Sequence, residues 1–245
     1  MNRLQSCILA LCVCSALVAS NSFAEEQKKA LSDEGELSFV QTEGNTKVSS
    51  LAAKNLLKYK FNENLLGSWK AGAMRADTAG VKTAENYFTD FKLDYQNTPR
   101  LYTFVAAGWM QNKFAGVDQH LYGGAGAGYK VLDGPDNFLI GELGALFVTD
   151  KYTDHLRKDY PSGRAFAKYT YAFTEKNKFS QSLEYLVDFN DTQKYFVNSE
   201  TAVISSLNGN LSLKAAYVVN YANKPVPITL KKKDSTTTVA LVLNY

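Results

Sequence analysis

Polar and apolar residues alternate along most of this chain with a period of two, and sustained 3.6-residue periodicity is scarce. In 47–61, Leu51, Ala53, Leu57, Tyr59 and Phe61 share one face, while Ser50, Ala52, Lys54, Lys58 and Lys60 share the other. In 179–189, Phe179, Gln181, Leu183, Tyr185, Val187 and Phe189 oppose Ser182, Glu184 and Asp188. The same pattern predicts strands over 35–42, 47–61, 65–76, 84–96, 101–113, 119–132, 138–149, 164–173, 179–189, 193–206, 210–222 and 235–245. Each is bounded by turn residues. Past the N-terminal segment, no stretch approaches the roughly eighteen consecutive apolar residues of a membrane-crossing helix.

The connections sharpen that picture. Every second one is tight and rich in Asn, Asp, Gly and Pro: Asn62-Glu63-Asn64, Asn97-Thr98-Pro99, Asp133-Gly134-Pro135-Asp136, 174–178 and Asn208-Gly209-Asn210. The intervening set includes the two longest expected loops, near 150–163 and 223–234. Short turns on one side and longer loops on the other are the asymmetry of a transmembrane β-barrel. Aromatic residues gather beside both sets. Tyr59, Phe61, Tyr95, Tyr129, Phe138, Phe173 and Phe179 lie near the turns, and Tyr87, Trp109, Phe147, Phe189, Tyr195 and Tyr221 near the loops. Amphipathic rings suit the two membrane–water interfaces, so these positions read as girdles. A soluble lipocalin-like cup would have fewer strands and polar outward faces. The expected fold is therefore all-β: a transmembrane antiparallel barrel of twelve strands, with short periplasmic turns and longer outer loops.

The chain ends on VALVLNY, Val239 to Tyr245, an apolar alternating strand where a frayed polar terminus is usual. A barrel must close its last strand against its first, because hydrocarbon tolerates no open sheet edge. An aromatic-terminated amphipathic strand of this kind resembles the signal read by the bacterial barrel-assembly machinery, with Val239, Leu241, Leu243 and Tyr245 facing lipid.

At the other end, Arg3, the apolar run Cys7 to Ala19 and Ser22-Phe23-Ala24 have the grammar of a secretory signal peptide. The expected division is a cleaved signal at 1–24 and a barrel over 25–245. All 3 cysteines (Cys7, Cys12, Cys14) lie in that signal, which removes thiol catalysis, thiolate metal sites and disulfides from the mature chain. Loss of Arg3 lowers Lys and Arg from 27 to 26 against 24 acidic residues, too balanced to suggest a nucleic-acid partner.

GELSFVQTEGNT (Gly35 to Thr46), the Leu-Lys-Tyr of Leu57 to Tyr59 and the terminal VALVLNY resemble the DUF481 family, which includes proteins named salt-induced outer membrane protein. The resemblance covers essentially the whole mature chain. It implies a barrel in the outer membrane of a Gram-negative bacterium, with no established biochemical activity and no catalytic residues. Glu43-Gly44-Asn45-Thr46 reads physically as a hairpin connection, because Gly and Asn tolerate positive φ.

Little in the sequence suggests catalysis. His120 has Tyr122, not a serine, as its same-face neighbour. His155 lies in an expected loop with Asp154, Asp159 and Ser162, and loop composition accounts for that cluster. Two histidines so placed give no metal-ligand spacing. GGAGAGYK (Gly123 to Lys130) lacks the strand–loop–helix setting and Lys-Ser/Thr ending of a phosphate loop. Its alternate glycines Gly124, Gly126 and Gly128 point inward, leaving a flat strip for bulky lumen residues or for water. No enzyme, cofactor or metal site is expected.

The lumen is the remaining functional surface. By alternation its basic candidates are Lys54, Lys58, Lys60, Lys70, Lys92, Lys130, Arg164, Lys168 and Lys214. The acidic ones are Asp90, Asp94, Glu142, Glu184, Asp188 and Glu200. This basic excess predicts a narrow pore with a mild preference for anionic solutes. The alternative is a non-conducting structural or envelope-stress barrel in which opposite charges pair and plug the lumen. The expected partners are outer-membrane lipids, lipopolysaccharide at Lys231-Lys232-Lys233, and the barrel-assembly machinery during insertion.

Overall fold

The computed structural model describes residues 30–42, 48–226 and 231–245. The expected signal peptide 1–24, the Glu43-Gly44-Asn45-Thr46 connection and 227–230 lie outside the described residues. Twelve strands form a closed antiparallel barrel, each paired with its sequence neighbours. They are β1 (Leu31–Thr42), β2 (Val48–Lys60), β3 (Leu65–Thr78), β4 (Val81–Gln96), β5 (Leu101–Asn112) and β6 (Val117–Asp133). The second half comprises β7 (Asn137–Tyr152), β8 (Arg157–Ala172), β9 (Asn177–Asp188), β10 (Tyr195–Ser206), β11 (Leu211–Ala222) and β12 (Lys233–Asn244). Every strand read from the alternation is present.

Closure runs through the terminal strand. β12 pairs with β1 in the register Leu37↔Leu241 and Gly35↔Leu243, and Tyr245 N donates to Asp33 O at 2.8 Å. Every strand thus has two neighbours in the ring, as hydrocarbon demands.

The expected asymmetry of the connections is present in reduced form. The two longest connections, 189–194 and 223–232, lie on the loop side, yet β3 and β4 are joined there by Ala79 and Gly80 alone. Both of those residues have positive φ (51° and 81°), the condition of a type I′ hairpin turn. The extra length lies in the strands. β4, β7 and β8 have 16 residues and β6 has 17, against 12 in each of β9 to β12, so one wall is built from longer strands.

The segment 150–163, read as a loop for its charges and proline, is mostly ladder. Lys151 pairs with Arg157 and Phe147 with Pro161. Pro161 is tolerated because its carbonyl faces β9 and accepts from Phe189 N at 2.9 Å. In an antiparallel strand the N–H and C=O of one residue point to the same neighbour, so the missing N–H takes nothing from the β7 ladder.

The outward face is apolar around the ring, with Leu37, Leu51, Phe91, Val105, Leu143, Leu183, Leu213 and Leu241 all exposed. Aromatic residues flank this band. Tyr59 and Phe61 meet edge to face at 4.9 Å near the turns, as do Tyr171 and Phe173 at 5.1 Å. On the loop side Tyr195 lies 5.7 Å from Tyr185 and 6.0 Å from Tyr221, measured between ring centroids. Phe138 is an exception to the expected girdle. It shares the inward alternation of Ile140 and Glu142, which position beside a turn does not reveal.

Candidate functional site

The inner wall is organised mainly by two ion-pair networks, each reaching over a strand that presents small residues there, the glycines of β6 and Ala240 of β12. In the larger one, Lys92 on β4 contacts Asp94 at 2.8 Å and Glu142 of β7 at 2.6 Å. Glu142 accepts from Arg164 of β8 at 2.8 Å, and Arg164 donates through Nε to Glu184 of β9 at 2.7 Å. Asn198 of β10 continues the row, donating to Glu184 at 3.1 Å. This chain runs from β4 to β10, which are diametrically placed in a ring of twelve. The Glu142 side chain is 0% exposed and that of Arg164 1%.

Between Lys92 and Glu142 lie β5 and β6, and there the glycine strip does its work. A Cβ at Gly128 would collide with the Tyr102 ring, and one at Gly126 with Phe104 and the Leu143 carbonyl. The strip is therefore filled by aromatic side chains. Tyr102 and Phe104 belong to a cluster with Ala106, Tyr122, Leu146, Val148 and Tyr160. Lys92 Nζ stands 5.2 Å and 4.7 Å from the Tyr102 and Phe104 ring centroids, within cation–π range. Tyr102 donates to Glu142 at 2.7 Å, and Tyr122 donates to Asp90 at 2.8 Å.

The second network holds the opposite wall. Lys214 of β11 contacts Glu36 of β1 and Glu200 of β10, both at 3.0 Å, and Lys54 of β2 lies 3.6 Å from Glu36. Ala240, in register with both Lys214 and Ser38, is the small residue over which Lys214 reaches.

The remaining candidates take individual places. Lys70 lies over the Phe88 ring at 5.2 Å, and Asp188 is 4.0 Å from Lys194 and caps the Asn190 N–H at 2.8 Å. Lys58 and Lys130 are buried on the inner face, while Lys60 and Lys168 are half-buried on the same alternation. On the outer face Val239, Leu241, Leu243 and Tyr245 are exposed.

Sequence reading missed four inner groups. Glu34 and Glu36 share the alternation of Ser38 but precede or begin the expected first strand. Asp150 falls just beyond an expected strand end, whereas Lys194 lies inside the expected strand 193–206 on the alternation of Asn198, and the structure places it in the connection before β10. Their carboxylates offset the basic excess. Asp150 is the hub of a third cluster, 2.6 Å from His120 Nδ1 and 3.5 Å from Lys194, and it accepts from Tyr152 at 3.1 Å and Tyr160 at 2.9 Å. His155 sits in the adjoining turn with φ of 67°. Asp159 is tied to Thr149 and Arg157, while Ser162 donates to the Val187 carbonyl at 2.9 Å. These groups are not arranged as a nucleophile and base. Among the described residues no cluster of three or more metal-binding side chains occurs.

Above the larger network, the loop-side end of the lumen opens into a vestibule with a cavity of about 120 Å³. Arg164, Glu184 and Asn198 border it, together with Tyr122, Leu146 and Tyr160, and Lys194, Lys224, Lys231 and Lys232 stand on its loop side. Asn223 and Lys224, just after β11, are latched to 189–194: Lys224 contacts Asp191 at 2.8 Å, and Asn223 Nδ2 donates to the Gln193 carbonyl at 2.8 Å.

A closed twelve-stranded antiparallel wall with an apolar exterior and a charged, paired interior defines a β-barrel of the outer-membrane kind. Solved structures bear out the fold. The translocator domain of autotransporter NalP from Neisseria meningitidis superposes with a TM-score of 0.53 at 12% identity, over 90% of each chain. The COG4313 outer membrane channel from Pseudomonas putida F1 gives 0.55 at 11% identity, over 88% of this chain and 94% of that one. The chain belongs to the DUF481 family, described as a protein of unknown function, whose model matches residues 35–245. A relative, Uncharacterized protein YdiY of Escherichia coli (strain K12), is 28% identical over 203 residues, spanning 83% of this chain and 79% of its own.

Proposed function

We propose that this protein is an outer-membrane barrel of a Gram-negative envelope whose lumen is closed by paired charges, a structural or envelope-stress component and not an enzyme. The observation that carries this reading is the buried row Lys92–Glu142–Arg164–Glu184–Asn198, which links opposite sides of the ring. Charges lining a water-filled pore stay hydrated, whereas side chains exposed by 0–4% have exchanged water for one another. The apolar outer band supports a lipid environment, with lipopolysaccharide phosphates meeting Lys231, Lys232 and Lys233 at the outer rim. The outward Val239, Leu241, Leu243 and Tyr245 support recognition by the barrel-assembly machinery. The salt-induced name used within the family fits a role in envelope stress.

A second reading, a narrow pore favouring anions, draws on Lys58, Lys60, Lys130 and Lys168 toward the turn-side end of the inner wall. Single-channel recording in a planar bilayer under a salt gradient decides between the two. The refolded barrel, its fold verified by heat-modifiable gel mobility, is expected to be silent. Sustained openings with an anion-favouring reversal potential would replace the closed reading with the pore.

A further inference from the structure

The ring closes over less of its height at one seam than at the others. Among the described residues β1 and β12 are in register from Glu34↔Asn244 to Ser38↔Ala240, and there the ladder stops. Both strands run on toward the loops, β1 over 39–42 beside β2 and β12 over 233–239 beside β11. At every other seam the ladder takes up at least one of its two strands almost end to end. Burial changes at the same point: the inward Ala240 and Val242 are buried, whereas the inward Thr236 and Thr238 are half-buried. Lys214 of β11 reaches over Ala240 to Glu36 of β1 at 3.0 Å, a strap across the seam at the level where pairing ends.

A backbone edge outside the ladder cannot stand in dry hydrocarbon, so this part of the wall must be wetted. The side chains of β12 suit that condition. The apolar outward alternation of Val239, Leu241 and Leu243 gives way to Lys233, Ser235 and Thr237, and the half of β12 outside the ladder is polar on both faces. Behind it lies the vestibule, lined by Asp234 of that half and by Asn220 and Ala222 of β11. The row through Glu142, Arg164 and Glu184 closes the floor, so what enters from the side goes no further. The vestibule wall is carbon at Leu146, Val148, Leu186 and Phe196, and Lys231 and Lys232 stand on its loop side. A carbon wall beneath a cationic rim fits an apolar chain that carries an acidic head.

We infer that the loop-side half of the β1–β12 seam is a lateral portal, bounded below by the Lys214–Glu36 strap, through which a single-chain amphiphile with an acidic head passes from the outer leaflet into the vestibule. The portal stands whether or not the barrel conducts, since it lies above the ion-pair row.

The test uses the full refolded barrel in phosphatidylcholine nanodiscs and palmitate with a diazirine at its chain end, with adducts mapped by tandem mass spectrometry after illumination. Adducts are expected on the outward Leu143 and Leu183, which meet lipid in any case, and on the inward Leu186 and Phe196. From residue 25 onward the chain has no cysteine, so disulfides can be placed at will. Gln41→Cys with Thr237→Cys, the positions that a continued register would join, is expected to remove the inner adducts when oxidised and to restore them when reduced. Leu37→Cys with Leu241→Cys, already in register, is expected to leave them unchanged. The same chain with a quaternary ammonium head is expected to label the outward residues alone. The inference is overturned by a parent barrel without inner adducts, by inner adducts that survive the oxidised upper disulfide, by their loss with the lower one, or by equal inner labelling from the ammonium probe. Should the upper disulfide fail to form, a short bismaleimide across the same two cysteines closes the seam and is read in the same way.

Discussion

Lys92 and Glu142 lie 50 residues apart with two strands between them, yet their side chains meet at 2.6 Å inside the barrel. The contact is possible because Gly126 and Gly128 on β6 cede their side-chain space to Phe104 and Tyr102, and the lysine rests over those two rings. Glu142 then holds two cations, Lys92 and Arg164, with no exposed side-chain surface.

Removing that carboxylate leaves both cations buried and under-compensated, so Glu142→Ala is expected to cost about 3–5 kcal/mol. The pair Arg75–Asp77, with side chains 60% and 30% exposed, is the contrast. Asp77→Ala is expected to cost less than about 1 kcal/mol, because water screens the pair. Urea unfolding of both variants in the same lipid or detergent checks the difference. Similar midpoints would mean that the buried row contributes no more than a surface pair.

The glycines make a second contrast. A methyl at Gly126 meets the Leu143 carbonyl and the Phe104 ring, and backbone cannot swing aside as a flexible side chain can. Gly126→Ala is expected to destabilise the barrel by about 1–3 kcal/mol, the usual cost of overpacking. Gly141 on the outer face has nothing within 4 Å of the same added atom. Gly141→Ala should stay within about 0.5 kcal/mol of the parent. The fraction of each variant in the heat-modifiable folded band, followed against urea, measures both.

How far the sequence speaks depends on which physical rule carries the message. Side-chain direction has a strict period of two, so face assignments such as Lys58 inward and Tyr59 outward follow from alternation alone. Pairing between distant strands leaves no such mark: nothing near Lys92 indicates Glu142 as its partner, and the glycine strip that admits the contact also read as possible water space. Strand ends were the other blind spot. Asp150, Tyr152, Tyr160 and Ser162 alternate correctly, but their polarity and Pro161 suggested a loop, which hid Asp150 as the hub of the His120–Lys194 cluster. The tally of inner charges was biased for the same reason, because Glu34 and Glu36 lie at the edge of a strand whose start was placed late.

Outside the membrane wall, the loop latch is expected to respond to acid. The hydrogen bond from Lys224 holds the exposed Asp191 carboxyl below its ordinary value. A depressed carboxylate pKa contributes to the closed arrangement above the unfolded value, and that contribution is lost as pH falls through the folded one. Asn223 and Lys224 should therefore be held most firmly to 189–194 at neutral pH and less firmly below the ordinary aspartate range. Asp191→Asn should loosen this latch at neutral pH, by no more than an exposed pair is worth, without altering the barrel. Amide exchange of Asn223 N–H, which donates to the Tyr195 carbonyl at 3.0 Å, reports the change. Equal protection in parent and variant at neutral pH would remove the latch from the account.

The terminal strand offers a test of which face meets lipid. Leu241 stands in register with Leu37 on one side and Leu213 on the other, and all three are exposed outward. If this band lies in hydrocarbon, Leu241→Arg places an unpaired charge there and should cost about 2–4 kcal/mol near the midplane. The same substitution on a surface facing water would be close to neutral, so the size of the loss distinguishes lipid from solvent. Deleting Tyr245 tests a different step. It removes the 2.8 Å and 3.2 Å hydrogen bonds to the Asp33 backbone, worth about 1 kcal/mol each at most, so refolding into detergent should be only mildly weakened. Cellular insertion should fall much further if the terminal aromatic is read by the assembly machinery. Comparable losses in the two settings would assign Tyr245 to closure of the barrel alone.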